Sequence, residues 1–449
     1  MAIDHEMKVE IIHRATIKPS SPTPFHLRDF DLSIIDQIAP VMYIPLILFY
    51  PNTANGNVNI ITAERSKHLR KSLSETLTHF YPLAGRIMRI NNPYIECNDE
   101  GAQLVEARIN CSLSEFLAKP DPQMLRKFLP TAVECKEISK IKWLLLVQET
   151  FFQCGGMAIG LCLSHKFADA STLATFINTW AGISRGSVNS FVLPEFGASS
   201  LLPPLDCSEA QQLDLPVIQL VPEKSCETRR YVFDAANIAA LRSRAASLAV
   251  EKPTRVEAVS ALIWKCTMEA TRSNNTSDFS SPRRSSWCHN VNMRHRVEPR
   301  LPDNLVGNLV GYFVEKAEES EVVDLQNLVA KMRKAIEKVN KSYGEGIDLE
   351  EALDVVREYA NLLKSDEIDN YNCTSWCRFP YYDADFGWGK PVWVSISGVT
   401  FRNMVFLMDS RDGDGIEAWL TLKEKEMALV GSNKELLAFA SPNPSIIYN

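Results

Sequence analysis

No stretch of this 449-residue chain runs eighteen apolar residues without interruption, so none reads as a membrane-spanning helix. It has no block of lysine or arginine either, and its net charge is −7. Nucleic acid and an anionic membrane are poor partners for such a chain. The opening "MAIDHEMKVEIIHRA" lacks an apolar signal core and carries three acids, so a cytoplasmic protein is expected. Eleven cysteines are scattered without framework spacing, as expected of reduced thiols. The sequons at Asn110, Asn274 and Asn372 are expected to stay bare in that compartment.

Familiar catalytic signatures are missing too. No second histidine or glutamate stands at zincin spacing from His165, so zinc is not expected. There is no G-x-S-x-G elbow, and Ser164 adjoins His165 on a strand, where neighbours point to opposite faces. Cys373 and Cys377 form a lone CxxxC without a partner pair. "DSRDGDG" fails as a calcium loop, because Arg411 occupies a ligand position and the twelfth residue is Leu420. No metal is expected.

What is present is an ordinary core-forming composition, 45% apolar and 23% charged, at a length that allows two or three domains. Leu69, Leu73, Leu77 and Phe80 recur at helical spacing until Pro82 and Gly85 end the pattern. "PYIECNDEGAQLVEARI" alternates like a hairpin around Asn98–Gly101. "KWLLLVQETFFQCGGMAIGLCLSH" reads as two strands broken at Gly155-Gly156, the second apolar on both faces as a covered central strand would be. After Asp169 a helix turns Leu173, Phe176, Ile177 and Trp180 inward. From about Leu193 to Lys224 periodicity gives way to Pro, Ser and Leu, which places an interdomain crossover there. The second half opens with a strand and an Ala-rich helix. Buried and amphipathic helices follow, with a polar loop at "TRSNNTSDFSSPRRSSW" and a closing hairpin around "DSRDGDG". The architecture is α/β, with an N-terminal lobe at 1–192, a crossover at 193–225 and a C-terminal lobe at 226–449.

Of eight histidines, His5, His13, His26, His68, His79, His289 and His295 fall in polar or loop contexts. Only His165, in "LCLSHKFADAST", ends a buried strand, where a rigid element would hold a reactive group. The bland alternative is a core histidine bonded to a backbone carbonyl. Asp169, four residues on, could orient the imidazole, but an aspartate opening a helix is more often a cap or an ion-pair anchor. A second unusual string, "DFGWGKP" from Asp385 to Pro391, fails as a phosphate loop because Pro391 stands where Ser or Thr is required. It reads as one rigid turn.

With both strings in hand the chain resembles the plant BAHD acyl-CoA-dependent acyltransferases. His165-Lys-Phe-Ala-Asp169 matches their HxxxD motif and Asp385-Phe-Gly-Trp-Gly389 their DFGWG motif. "KPSSPTP", "HFYPLAGR", "CNDEG", "VNMR", Gly307-Asn308 and "TSWCR" extend the likeness along nearly the whole chain. It is most like the alkaloid O-acetyltransferase branch, with Ala170 where the family usually has glycine after HxxxD. The resemblance implies two similar-sized mixed-sheet lobes with a solvent channel between them, acyl-CoA entering from one face and an alcohol from the other. It implies His165 as general base, Asp169 turned away to pair with Arg294, and Asp385 in a supporting, structural part. Thr374, Ser375 and Trp376 would line the pantetheine side, with Thr254 and Arg255 towards the nucleotide. Acetyl-CoA is the expected co-substrate, with no permanently bound cofactor, and the chain is expected to be a monomer.

The chemistry is simple. A thioester is an activated donor whose leaving thiol has a pKa of about 8.5, so no covalent enzyme intermediate is needed. What remains is to deprotonate an attacking alcohol, which suits an imidazole of pKa about 6.5. The expected reaction is acetyl transfer to a hydroxyl of a plant alkaloid in a ternary complex. Two alternatives stay open. One is another acyl-CoA (malonyl, branched or aromatic) with a sugar ester, terpenoid or phenylpropanoid alcohol. The other is a non-catalytic ligand-binding relative.

Overall fold

Two fully buried runs, Tyr43–Tyr50 and Met157–Ser164, pair antiparallel with Tyr43 opposite Ser164. Neither alternates with polar residues, because both faces of the sheet are covered. In a computed structural model, which describes residues 6–88, 93–135, 137–186, 191–205, 218, 220, 222–274, 284–318, 324–344, 346–365 and 367–448, they lie inside a six-stranded sheet. Its order is Val9–Ile17, Ala102–Ile109, Leu145–Phe151, Met157–Ser164, Tyr43–Tyr50, Trp393–Ser395. Gly160 sits where a Cβ would lie 1.9 Å from the Phe128 carbonyl oxygen; only glycine lets that chain cross the strand so closely. Helices Val58–His79 and Ala170–Ser184 pack together beside this sheet, burying Leu69, Leu73, Leu77, Leu173, Phe176, Ile177 and Trp180.

The expected hairpin around Asn98–Gly101 does not form. Tyr94–Glu96 pairs with Asp29–Asp31 and Arg86–Met88 in a small separate sheet, while Ala102–Ile109 joins Val9–Ile17 and Leu145–Phe151. Asp99 and Gly101, at φ 58° and 93°, redirect the chain from one sheet to the other. Alternation shows that each run is a strand and says nothing of its partner.

The second large sheet runs Val310–Ala317, Arg284–Asn292, Ile368–Ser375, Met404–Asp409, Ile416–Lys423, Cys226–Phe233, Ser441–Pro442. Helix Arg255–Asn274 lays Trp264 against Trp287 on one face, ring centroids 5.9 Å apart. Helix Leu349–Lys364 stacks Tyr359 on Tyr312 at 5.3 Å on the other. The hairpin around "DSRDGDG" pairs Met404–Asp409 with Ile416–Lys423. The expected polar loop gives its ends to helix Arg255–Asn274 and strand Arg284–Asn292, and its residues 275–283 lie outside the described residues, as do 206–217, 219 and 221 of the crossover. The described part of the crossover holds strand Glu195–Phe196 and helix Ala198–Leu201. We keep 1–192 and 226–449 as proposed lobes, with one exchange: Trp393–Ser395 pairs with Ile47–Phe49 in the first sheet.

Candidate active site

His165 follows directly on the central strand Met157–Ser164, its N–H donating to the Met42 carbonyl at 2.9 Å. Its ring is half-buried, with Nδ1 3.0 Å from Asn308 Oδ1. The tautomer follows from what holds Asn308. The Asn308 Nδ2 donates to Asp36 Oδ1 and to the His165 carbonyl, both at 2.7 Å. Both partners only accept, so the carboxamide oxygen must face the imidazole. An oxygen there requires the neutral ring to carry its proton on Nδ1, which leaves Nε2 as its acceptor. Burial lowers the His165 pKa below the usual imidazole range, against a backbone hydrogen bond, Asp169 and Asn308, which raise it.

Asp36 is itself fixed by Ser33, whose N–H and hydroxyl donate to Asp36 Oδ2 at 2.9 and 2.7 Å. Burial raises its pKa to about 6, opposed by the hydrogen bonds from Ser33 and Asn308. Sequence reading missed Asp36. The signal present, a serine three residues before an acid, is a capping box and announces a helix start rather than an active site. Asn308 was visible only as part of a matching Gly-Asn pair.

Asp169 caps helix Ala170–Ser184, accepting from the Thr172 N–H at 2.8 Å. Arg294 clamps it in a bidentate pair, Nη1 to Oδ2 at 2.7 Å and Nη2 to Oδ1 at 3.2 Å. The guanidinium also donates to the carbonyls of Leu305 and Gly307. Both side chains are essentially inaccessible. Burial pushes the Asp169 pKa up, but Arg294 and the N–H donors of Thr172 and Leu309 outweigh it and hold the carboxyl below its usual range. Ser164, next to the histidine in the chain, is buried, and its hydroxyl has no partner among the described residues.

Asp385 sits apart from this constellation. Its Oδ1 accepts from Gly387 N at 2.8 Å and Gly389 N at 3.0 Å, and both glycines have positive φ, 107° and 100°. The turn presses Phe386 against Trp180 and Tyr50, and Trp388 lies under Arg65.

Two cavities meet near His165. The inner one is lined by His165, Asn308, Thr374, Ser375 and Trp376, with Ile35, Met42, Ile44, Tyr312, Met404 and Phe406 supplying apolar wall. The outer one, about 1640 Å³, carries seven arginines and one lysine against four carboxylates among the described residues. Arg242, Arg296, Arg300, Arg333 and Arg378 are among those cations. Ser171, Asn290, Val291, Asn292, Ser375 and Phe379 line both cavities, so the two adjoin at those residues. Thr254 and Arg255 lie on the outer cavity, Thr254 capping Glu257 and Arg255 held by Asp409 at 3.0 Å. His289, expected in a polar or loop context, instead lies buried in strand Arg284–Asn292, stacked on Phe313 at 5.2 Å. Its apolar neighbours are distant in sequence, and burial lowers its pKa to about 4.

The sequence matches the Transferase family over residues 7–437. It is 40% identical to akuammiline synthase 1 of Alstonia scholaris, over 96% of this chain and 97% of that one. It is 36% identical to limonoid 21-O-acetyltransferase of Citrus sinensis, over 98% of this chain and 100% of that one. The fold superposes on the crystal structure of vinorine synthase with a TM-score of 0.83 at 36% identity, covering 97% and 99% of the two chains. The mixed two-lobe architecture is that of vinorine synthase. The chain therefore belongs to the Transferase family, the BAHD acyl-CoA-dependent acyltransferases.

Proposed function

We propose that this enzyme moves an acetyl group from acetyl-CoA to a hydroxyl of a plant alkaloid, with His165 as general base in a ternary complex. The observation that carries the mechanism is the 3.0 Å contact of His165 Nδ1 with an Asn308 oxygen whose amide is pinned by Asp36. An imidazole protonated on Nδ1 has its basic lone pair on Nε2, and a depressed pKa keeps it neutral at physiological pH. The alcohol proton passes to Nε2 as the C–O bond forms at the thioester carbonyl. The C–S bond then breaks, and the imidazolium returns that proton to the departing thiolate of CoA.

The cation-rich outer cavity suits the phosphates of CoA, which an arginine fork binds through paired N–H donors. The apolar inner cavity suits a polycyclic acceptor. It holds about 100 Å³, below the roughly 300 Å³ at which small-molecule sites commonly begin, so an acceptor has to spread its walls. Met42 and Met404 line it, and unbranched thioether side chains repack readily. Alkaloid-related names among the relatives support that acceptor class. The limonoid 21-O-acetyltransferase at similar identity favours a terpenoid alcohol as the second reading.

Purified enzyme offered acetyl-, malonyl-, branched and aromatic acyl-CoA, each with alkaloid alcohols, terpenoid alcohols and sucrose esters, should release CoA fastest with acetyl-CoA and an alkaloid. Preference for another donor, or turnover confined to sugar esters, contradicts the substrate reading. No CoA release with any pair contradicts catalysis itself.

A further inference from the structure

Among the described residues four asparagines line the inner cavity, Asn290, Asn292, Asn308 and Asn372. Three of them are held by the protein. Asn308 bridges Asp36 and His165, Asn292 Oδ1 accepts from Arg294 N at 3.1 Å, and Asn372 Oδ1 accepts from Asn370 Nδ2 at 3.2 Å. The fourth, Asn290, makes no side-chain hydrogen bond to any described residue. Sheet register fixes where it stands. Asn290 is opposite Tyr312 on one neighbouring strand and Thr374 on the other, and Thr374 is opposite Phe406. Residues in register share a face, and all four line the inner cavity. Asn290 also lines the outer one, so its carboxamide stands where the cation-rich chamber adjoins the chamber of His165, the throat that a donor reaching from one to the other would cross.

We propose that Asn290 is a donor-binding residue, its carboxamide hydrogen-bonding an amide of the pantetheine arm where that arm passes from the outer cavity to the inner one. This rests on the acyl-CoA reading above. A pantetheine arm must cross the throat if its phosphates stay among the arginines and its thioester reaches the imidazole. Apart from one hydroxyl the rest of the arm is flexible and apolar, and its two amides are the groups with most hydration to lose on burial. A carboxamide offers N–H donors and a carbonyl acceptor to match them, and an amide buried without such a partner is costly.

The test crosses the enzyme variant with the donor. Asn290→Leu removes the carboxamide at similar volume, and Asn290→Ala serves as a second variant if the first melts earlier than wild type. Each is assayed with acetyl-CoA, with S-acetyl-N-acetylcysteamine, and with pentyl thioacetate, in which methylenes replace the amide. We expect the variants to raise KM for acetyl-CoA about 3- to 30-fold with kcat little changed. They should lose a similar factor in kcat/KM with the cysteamine thioester and almost none with pentyl thioacetate. Asn290→Ser, which keeps a donor and an acceptor, should recover part of the loss. An equal loss with both small thioesters, or a fall in kcat at unchanged KM, overturns the proposal. If wild type transfers from no thioester at all, the acyl-donor reading falls first and takes this inference with it.

Discussion

Asn308 Oδ1 lies 3.0 Å from His165 Nδ1, and that single contact decides which nitrogen of the imidazole is basic. Asp169, the acid nearest in sequence, is not part of the arrangement. It is turned into Arg294 at 2.7 Å. The group that orients the ring is an amide, held in turn by the carboxylate of Asp36.

Asn308→Ala should therefore lower kcat about 10²-fold while leaving KM for acyl-CoA near wild type, because the ring loses its tautomer and its direction but the cavities keep their shape. Steady-state kinetics on protein with an unchanged melting temperature checks this. Unaltered kcat would show that packing alone orients His165.

The pH profile has a defined sign. Burial lowers the His165 pKa, and the base works in its neutral form, so activity is full above the folded pKa and lost as pH falls through it. The acid limb of kcat/KM should then have its midpoint below the unperturbed value of about 6.5. A midpoint above that value contradicts the assignment.

Breaking the Asp169–Arg294 pair should cost stability, about 3–5 kcal/mol for either single change to alanine, since each leaves a buried charge unpaired. The double variant should lose much less than the sum. Denaturant unfolding of the three variants measures the coupling, and strict additivity would mean that the pair is energetically idle.

Asp385→Ala frees the N–H groups of Gly387 and Gly389 and should destabilise the turn by about 1–3 kcal/mol. In folded protein the chemical step should survive. A loss of kcat at full stability and normal donor KM would give Asp385 a direct part in the reaction.

Much of this was legible in the chain, and the illegible part has a physical pattern. Buried strands such as Met157–Ser164 and the amphipathic helix after Asp169 declare themselves through periodicity, and His165 stood out because it ends such a strand. The outer cavity did not, because Arg242, Arg296, Arg300, Arg333 and Arg378 never form a basic run. The fold alone gathers them, in a chain of net charge −7. Asp36 looked like any helix cap. Trp393–Ser395 is too short to show alternation, so its place in the first sheet is set by tertiary pairing. Asn290 is one polar residue in a mixed strand until register puts it beside Thr374.

The most direct test of the account is the turnover number of His165→Ala at saturating acetyl-CoA and acceptor, on protein whose melting temperature and CoA binding match wild type. The account predicts a fall of about 10²- to 10⁴-fold with no acyl-enzyme trapped when labelled donor is supplied without acceptor. Turnover near that of wild type would contradict it.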